Sequence, residues 1–217
     1  SKGLAKQVLR RVGQCILTSP TTACFSGLES DEKIDLGNAI RYFGDGFQVS
    51  KKINDKKIWR IPVMEGEFVI EDKTSIANGI GGGNILIIGD SNQEVLKSSE
   101  AAVKEMRKVN NIILPFPGGI VRSGSKVGSK YKSLIASTND AYCPTLKGIT
   151  KTKLSKSNES VLEIVIDGTN EKDISLAMKK GINIICKKFN KGIRSISAGN
   201  YGGKLGPYHF HLRDIMK

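Results

Sequence analysis

Apolar residues open the chain at Leu4, Val8, Val12 and Cys15/Ile16, the i, i+4 rhythm of one helix face, which predicts a helix over residues 4–17. Ser19-Pro20 ends it, because the residue ahead of a proline avoids the α region. No strand precedes this helix for its apolar face to cover, so we expect a partner segment upstream of Ser1. Residues 39–48 read as a strand broken by a Gly44-Asp45-Gly46 turn, and residues 57–62 as a strand with Trp59 facing inward. The pattern changes after Pro62, which sets an expected boundary near Val63 and divides the chain into 1–63 and 64–217.

Residues 67–71 are strand-like and residues 77–84 read as a glycine-rich turn. A βαβ unit follows, with strands at 85–89 and 112–114. Between them, Ser91-Asn92-Gln93-Glu94 fits a capping box for a helix whose inner stripe is Val95, Ala102, Val103, Met106 and Val109. The same grammar recurs with a strand at 161–166 and Asn170 as helix cap. Ile174, Ala177, Met178, Gly181, Ile182 and Ile185 form that helix's inner face, and a closing strand follows at 193–197. Gly181 costs about 1 kcal/mol against alanine inside a helix, so it is expected to permit close contact with the sheet. Two successive βαβ units in one domain describe the ferredoxin-like split βαβ sandwich, an antiparallel sheet with both helices on one face. The expected class is α+β with two ferredoxin-like lobes, the first incomplete.

Composition narrows the function. The 217 residues are 39% hydrophobic and 25% charged, which suits a globular core and excludes a mainly disordered chain. No apolar run reaches membrane-spanning length and no leader pattern is present, so neither a membrane nor an exported location is expected. Cys15, Cys24, Cys143 and Cys186 form no C-x-x-C pair and are expected to be free thiols in a reducing cytoplasm. His209 and His211 would share one face of a strand, but no cysteine or carboxylate cluster joins them, and no metal site is expected.

The net charge is +13, and residues 122–156 hold Arg122 and seven lysines (126, 130, 132, 147, 151, 153 and 156) against Asp140 alone. A solvated loop or a wall facing a polyanion would both account for this excess, and charge alone does not choose between nucleic acid and a small anionic ligand. Familiar motifs fail. The run from Gly119 to Lys126 misses the phosphate-cradling spacing, Asn84 breaks a dinucleotide fingerprint, and there is no G-x-S-x-G elbow. An RNA-recognition module would present stacking aromatics on its central strands. Here Phe116 stands alone between prolines and residues 193–197 have none, so no nucleic-acid partner is expected. Three long loops remain, at 115–130, 136–145 and 196–206, rich in glycine, serine, threonine and asparagine. Long loops in a compact domain are usually functional, and these suit backbone and hydroxyl contacts to a polar ligand.

Those loops, together with residues 42–48 and 59–72, closely resemble formylmethanofuran:tetrahydromethanopterin formyltransferase of methanogenic archaea, a likeness that runs in order through essentially the whole chain. The resemblance implies a proximal lobe whose later part is residues 1–63 and a distal lobe at 64–217. It implies formyl transfer from methanofuran to N5 of tetrahydromethanopterin in one-carbon metabolism. Both coenzymes would serve as cosubstrates, with no metal or prosthetic group. It further implies a cytoplasmic homo-oligomer, usually a tetramer. A non-catalytic binding or assembly module derived from that enzyme is the alternative. The lysine-rich segment would then face small anionic coenzymes carrying carboxylates and phosphate.

Formyl transfer between nitrogens passes through a tetrahedral oxyanion and needs a proton for the leaving amine. Glu163, in the apolar run Val161-Leu162-Glu163-Ile164-Val165-Ile166, is the candidate, since a carboxyl group surrounded by apolar side chains resists ionisation. A solvent-facing Glu163 is expected to bring Leu162, Ile164 and Ile166 onto the outer face with it, which argues for an inward one. The resemblance also places the family's reaction-centre glutamate here. Ser123, Ser125, Lys126, Asn139 and Tyr142 are the expected coenzyme contacts, and Arg122 is bulkier than the small residue expected beside that loop.

Overall fold

A computed structural model describes residues 2–199 and 206–217, and the chain divides into two compact units, Ser1–Asn78 and Gly79–Lys217.

The first unit opens with α1 (Lys2–Arg11), which runs on into a π-helical turn over Val12–Ile16. Strands β1 (Ala23–Cys24) and β2 (Lys33–Asp35), helix α2 (Gly37–Ile40), β3 (Val49–Ile53), β4 (Lys56–Val63), β5 (Gly66–Glu71) and β6 (Lys73–Ser75) follow. Four strands form a sheet in the order β1-β5-β4-β3, antiparallel except for β1 against β5, while β2 pairs with β6. Asn54 and Asp55 both take left-handed backbone angles at the β3–β4 turn, the conformation that matches the twist of a two-residue hairpin. The core is Val12, Leu36, Trp59, Ile61, Phe68 and Ile70, with Val8, Leu9, Ile16 and Leu17 packed against it. Strands that follow the first helix in sequence cover part of its apolar side, while Leu4 stays half exposed.

One expectation changes here. Residues 39–48 are not a broken strand: α2 passes into a 3₁₀ turn over Arg41–Gly44, closed by Asp45 in the left-handed region. The expected boundary near Val63 lies in the β4–β5 hairpin, where Val63 pairs with Gly66, and the compact units divide after Asn78. Trp59 is buried as expected, its indole N–H donating to Asp72 Oδ1 at 2.6 Å.

The second unit is built from β7 (Ile80–Gly89), α3 (Asn92–Met106), β8 (Ile112–Ile113), β9 (Lys126–Val127), β10 (Ala136–Ser137), β11 (Ser160–Gly168), α4 (Glu171–Lys188), β12 (Ile193–Ser197) and α5 (Leu212–Ile215). Its main sheet has the order β12-β7-β11-β8 with every pairing antiparallel, the split βαβ topology. Ile85 and Ile87 of β7 and Ile164 and Ile166 of β11 meet Val95, Ala102 and Met106 of α3 and Ile174, Met178 and Ile185 of α4 in one core. Both helix caps are made: Ser91 accepts from the Glu94 N–H and Asn170 from the Asp173 N–H at 2.9 Å. The glycine-rich residues read as a turn belong instead to β7, which bulges between Gly81 and Gly83 opposite Ile166 and Asp167. Gly181 does permit close packing, but against a helix: a methyl group there would overlap the Met106 side chain of α3. His209 and His211 lie outside any strand, their rings stacked at 6.3 Å, and among the described residues no cluster of three metal-ligating side chains occurs.

Candidate active site

β8 is only two residues long and pairs with Asp167 and Gly168, at the far end of β11. Among the described residues the first half of β11 therefore has no full strand on its outer side. A single bridge takes its place. The Val121 N–H donates to the Glu163 carbonyl at 2.7 Å, and the Glu163 N–H donates to the Val121 carbonyl at 3.0 Å. Two residues upstream, Gly119 holds a φ of +83°, and a Cβ there would crowd Val103 of α3. Glycine thus allows the loop after β8 to turn back on the helix and reach the strand.

Beside this bridge opens a cleft of about 820 Å³. Its walls come from α3 (Leu96, Glu100), the loop at 117–124, the segment at 139–145, and residues 159–163 with Leu86 of β7. Both wall-forming loops belong to the excursion between β8 and β11. A tie between them fixes their separation: Lys126 Nζ donates to Asp140 Oδ1 at 2.7 Å, a bond that holds the Asp140 carboxyl below its ordinary pKa.

Glu163 lines the cleft and is 5% exposed. Contrary to the expectation from sequence, it does not share a face with Leu162, Ile164 and Ile166. Those side chains point to the helices, and Glu163 lies on the helix-free face, where strand alternation puts it with Val161, Val165 and Asp167. Burial there comes from loops rather than from the main core. It pushes the carboxyl's pKa up, and a hydrogen bond from Asn84 Nδ2 at 2.7 Å offsets part of that rise. Asn84, on the same face of β7, accepts in turn from the Gly199 N–H at 2.9 Å.

Ser123, Asn139 and Tyr142 border the same cleft as Glu163. The Tyr142 hydroxyl lies 3.4 Å from Ser197 Oγ, and the Lys153 ammonium sits 5.5 Å from the centre of its ring. Ser125 and Lys126 are not among the lining residues, and Lys126 is engaged with Asp140. Of the eight cations at 122–156, Arg122 alone borders the cleft, while Lys147 turns to Glu159 at 3.3 Å. The segment is thus a set of separate contacts rather than one continuous basic wall. The loop expected at 196–206 is described only through Gly199 and at Gly206, and the rest lies outside the described residues. Sequence reasoning missed Asn84, Glu100, Cys143 and Thr145. Asn84 carried a usable signal, a polar side chain directly ahead of the apolar run Ile85-Leu86-Ile87-Ile88, the same kind of irregularity that singled out Glu163.

The fold and cleft define a two-lobed α+β protein with a buried acid at the wall of an open cleft. Comparison with known proteins agrees. One family model, described as formylmethanofuran-tetrahydromethanopterin formyltransferase, matches residues 1–63, and a second, described as the proximal lobe of that enzyme, matches residues 66–215. The second description exchanges the lobe name expected for residues 64–217. A formylmethanofuran--tetrahydromethanopterin formyltransferase from Methylococcus capsulatus is 60% identical over 99% of this chain and 72% of its own length. Its namesake from Methanocaldococcus jannaschii is 44% identical over 99% and 72%. The crystal structure of the formyltransferase/hydrolase complex from Methylorubrum extorquens with methylofuran superposes with a TM-score of 0.93 at 49% identity, covering 100% of this chain and 72% of that one. The chain belongs to the formylmethanofuran-tetrahydromethanopterin formyltransferase family.

Proposed function

We propose that the protein transfers a formyl group from N-formylmethanofuran to N5 of tetrahydromethanopterin, with both coenzymes as cosubstrates and no prosthetic group. The observation that supports a catalytic rather than a merely binding role is the buried Glu163 carboxyl at the cleft wall, its pKa raised by desolvation. N5 attacks the formyl carbon, and the carbonyl oxygen gains the negative charge of a tetrahedral intermediate. Neutral Glu163 hydrogen-bonds that oxygen and gives its proton to the departing amine nitrogen as the old C–N bond breaks and the carbonyl re-forms. The proton released by N5 restores the acid, so the cycle balances without an outside base. Ser123, Asn139 and Tyr142 contact the coenzymes, and Arg122 meets their anionic groups. Ser125 and Lys126 shape the loop that carries Ser123, the lysine through Asp140.

The working form is a cytoplasmic homo-oligomer, a tetramer, in keeping with the family resemblance, and its partners are the two small anionic coenzymes. The relative from Methylorubrum extorquens is a subunit of a formyltransferase/hydrolase complex. A derived, non-catalytic module is not favoured at 60% identity to a relative named as the enzyme. The test is to mix the full-length protein with both coenzymes and follow the pterin absorbance. Formyl-pterin should accumulate with turnover, whereas binding of both coenzymes without turnover would leave only the module.

A further inference from the structure

Asn84 is 8% exposed, lies outside the cleft lining, and touches the acid from behind. Its amide is oriented without ambiguity. The Gly199 backbone N–H can only donate, so the amide oxygen must face Gly199 and the NH₂ group must face Glu163. Glu163 Oε1 is therefore an acceptor, and a proton on that oxygen would confront another donor. A neutral carboxyl accepts better through its carbonyl oxygen than through its hydroxyl, so the proton belongs on Oε2, the oxygen that Asn84 leaves free. We propose that Asn84 is a positioning residue that fixes which oxygen of Glu163 presents a proton to the substrate, its own orientation set by the Gly199 backbone. This rests on the acid role of Glu163 given above.

Other ionisable groups around the acid do not supply this function. Glu100 of α3, Arg122, Tyr142 and Cys143 of the excursion and Glu159 ahead of β11 border the cleft, Asp167 lies farther along Glu163's own strand, and β12 offers Ser197. Among the described residues, Asn84 is the side chain hydrogen-bonded to the Glu163 carboxyl.

The experiment is a pH–rate profile of full-length protein carrying Asn84→Ala. Losing a donor to the charged form raises the acid's pKa further, so the high-pH limb, where Glu163 loses its proton, should move up by about one pH unit. With the proton free to occupy either oxygen, kcat should fall roughly tenfold to a hundredfold while both coenzyme KM values hold. A lower kcat with an unmoved limb would reduce Asn84 to packing and overturn the proposal. Asn84→Asp keeps the size and shape and supplies a second readout if the alanine variant does not fold. Its second oxygen draws the Glu163 proton away from the cleft, so kcat should fall at least as far as in Asn84→Ala, and wild-type kcat in Asn84→Asp would overturn the assignment. Glu163→Gln run alongside separates the two readings. If it keeps wild-type kcat, the acid role itself fails. If it loses kcat while Asn84→Ala matches wild type in rate and limb, the Asn84 inference alone fails.

Discussion

Replacing Glu163 by glutamine should change how stability depends on pH, because glutamine imitates the protonated carboxyl and cannot ionise. In the folded protein Glu163 is 5% exposed and its pKa lies above the ordinary value, with desolvation as the main cause. The unfolded chain releases this proton near the ordinary glutamate value of about 4.3. Below that pH the contribution of the neutral buried acid is fully present. Between that value and the raised folded pKa the native state binds one more proton than the unfolded state, so stability falls as pH rises. The slope approaches about 1.4 kcal/mol per pH unit for one group and levels off above the folded pKa. Glu163→Gln lacks this loss. Asp167, also raised by burial, and Asp140 and Asp90, lowered first by their bonds to Lys126 and Arg194, titrate alike in both proteins and cancel in the difference. Urea unfolding followed by the circular dichroism of α3 and α4, from pH 4 to pH 9, measures the difference directly. Parallel curves for the two proteins across that range would refute the claim that the fold holds Glu163 neutral.

Two further outcomes test the scaffold. Met106 is fully buried and its side chain fills the space that Gly181 leaves between α3 and α4, so Met106→Ala should cost about 2–5 kcal/mol in urea unfolding. A cost well under 1 kcal/mol would mean the helices are not packed through this contact. Asn170→Ala removes the cap that accepts from the Asp173 N–H and should cost about 1 kcal/mol, with faster amide exchange confined to the first turn of α4. Unchanged exchange there would show the cap to be unimportant.

Much of the second unit could be read in advance because local signals agreed with one another. Period-3.6 stripes, two side-chain caps and β-branched runs all pointed to paired βαβ units, and the same residues form the core. What escaped was decided by non-local pairing. Gly81, Gly82 and Gly83 look like a turn when isolated, yet β11 supplies a ladder that holds them in β7 despite the bulge. Residues 39–48 carry strand-forming Tyr42, Phe43 and Phe47, but the chain turns helically there and leaves all three exposed.

The site divided in the same way. Glu163 is conspicuous because a carboxylate is costly among apolar neighbours, but the loops that cover its face leave no mark in the strand pattern. Strand parity sets it opposite Leu162 and Ile164, and there the Val121 bridge and Asn84 meet it. Chemistry and position single out Lys126 and Ser125 in the sequence, yet neither lines the cleft. The pairing of Lys126 with Asp140 depends on two loops meeting, which no spacing along the chain announces.

The central claim is that a neutral Glu163 supplies the proton for formyl transfer, and steady-state kinetics of full-length Glu163→Gln with both coenzymes tests it most directly. The account predicts that kcat falls about a hundredfold to ten-thousandfold while both KM values stay near wild type. A variant that turns over at the wild-type rate would contradict it.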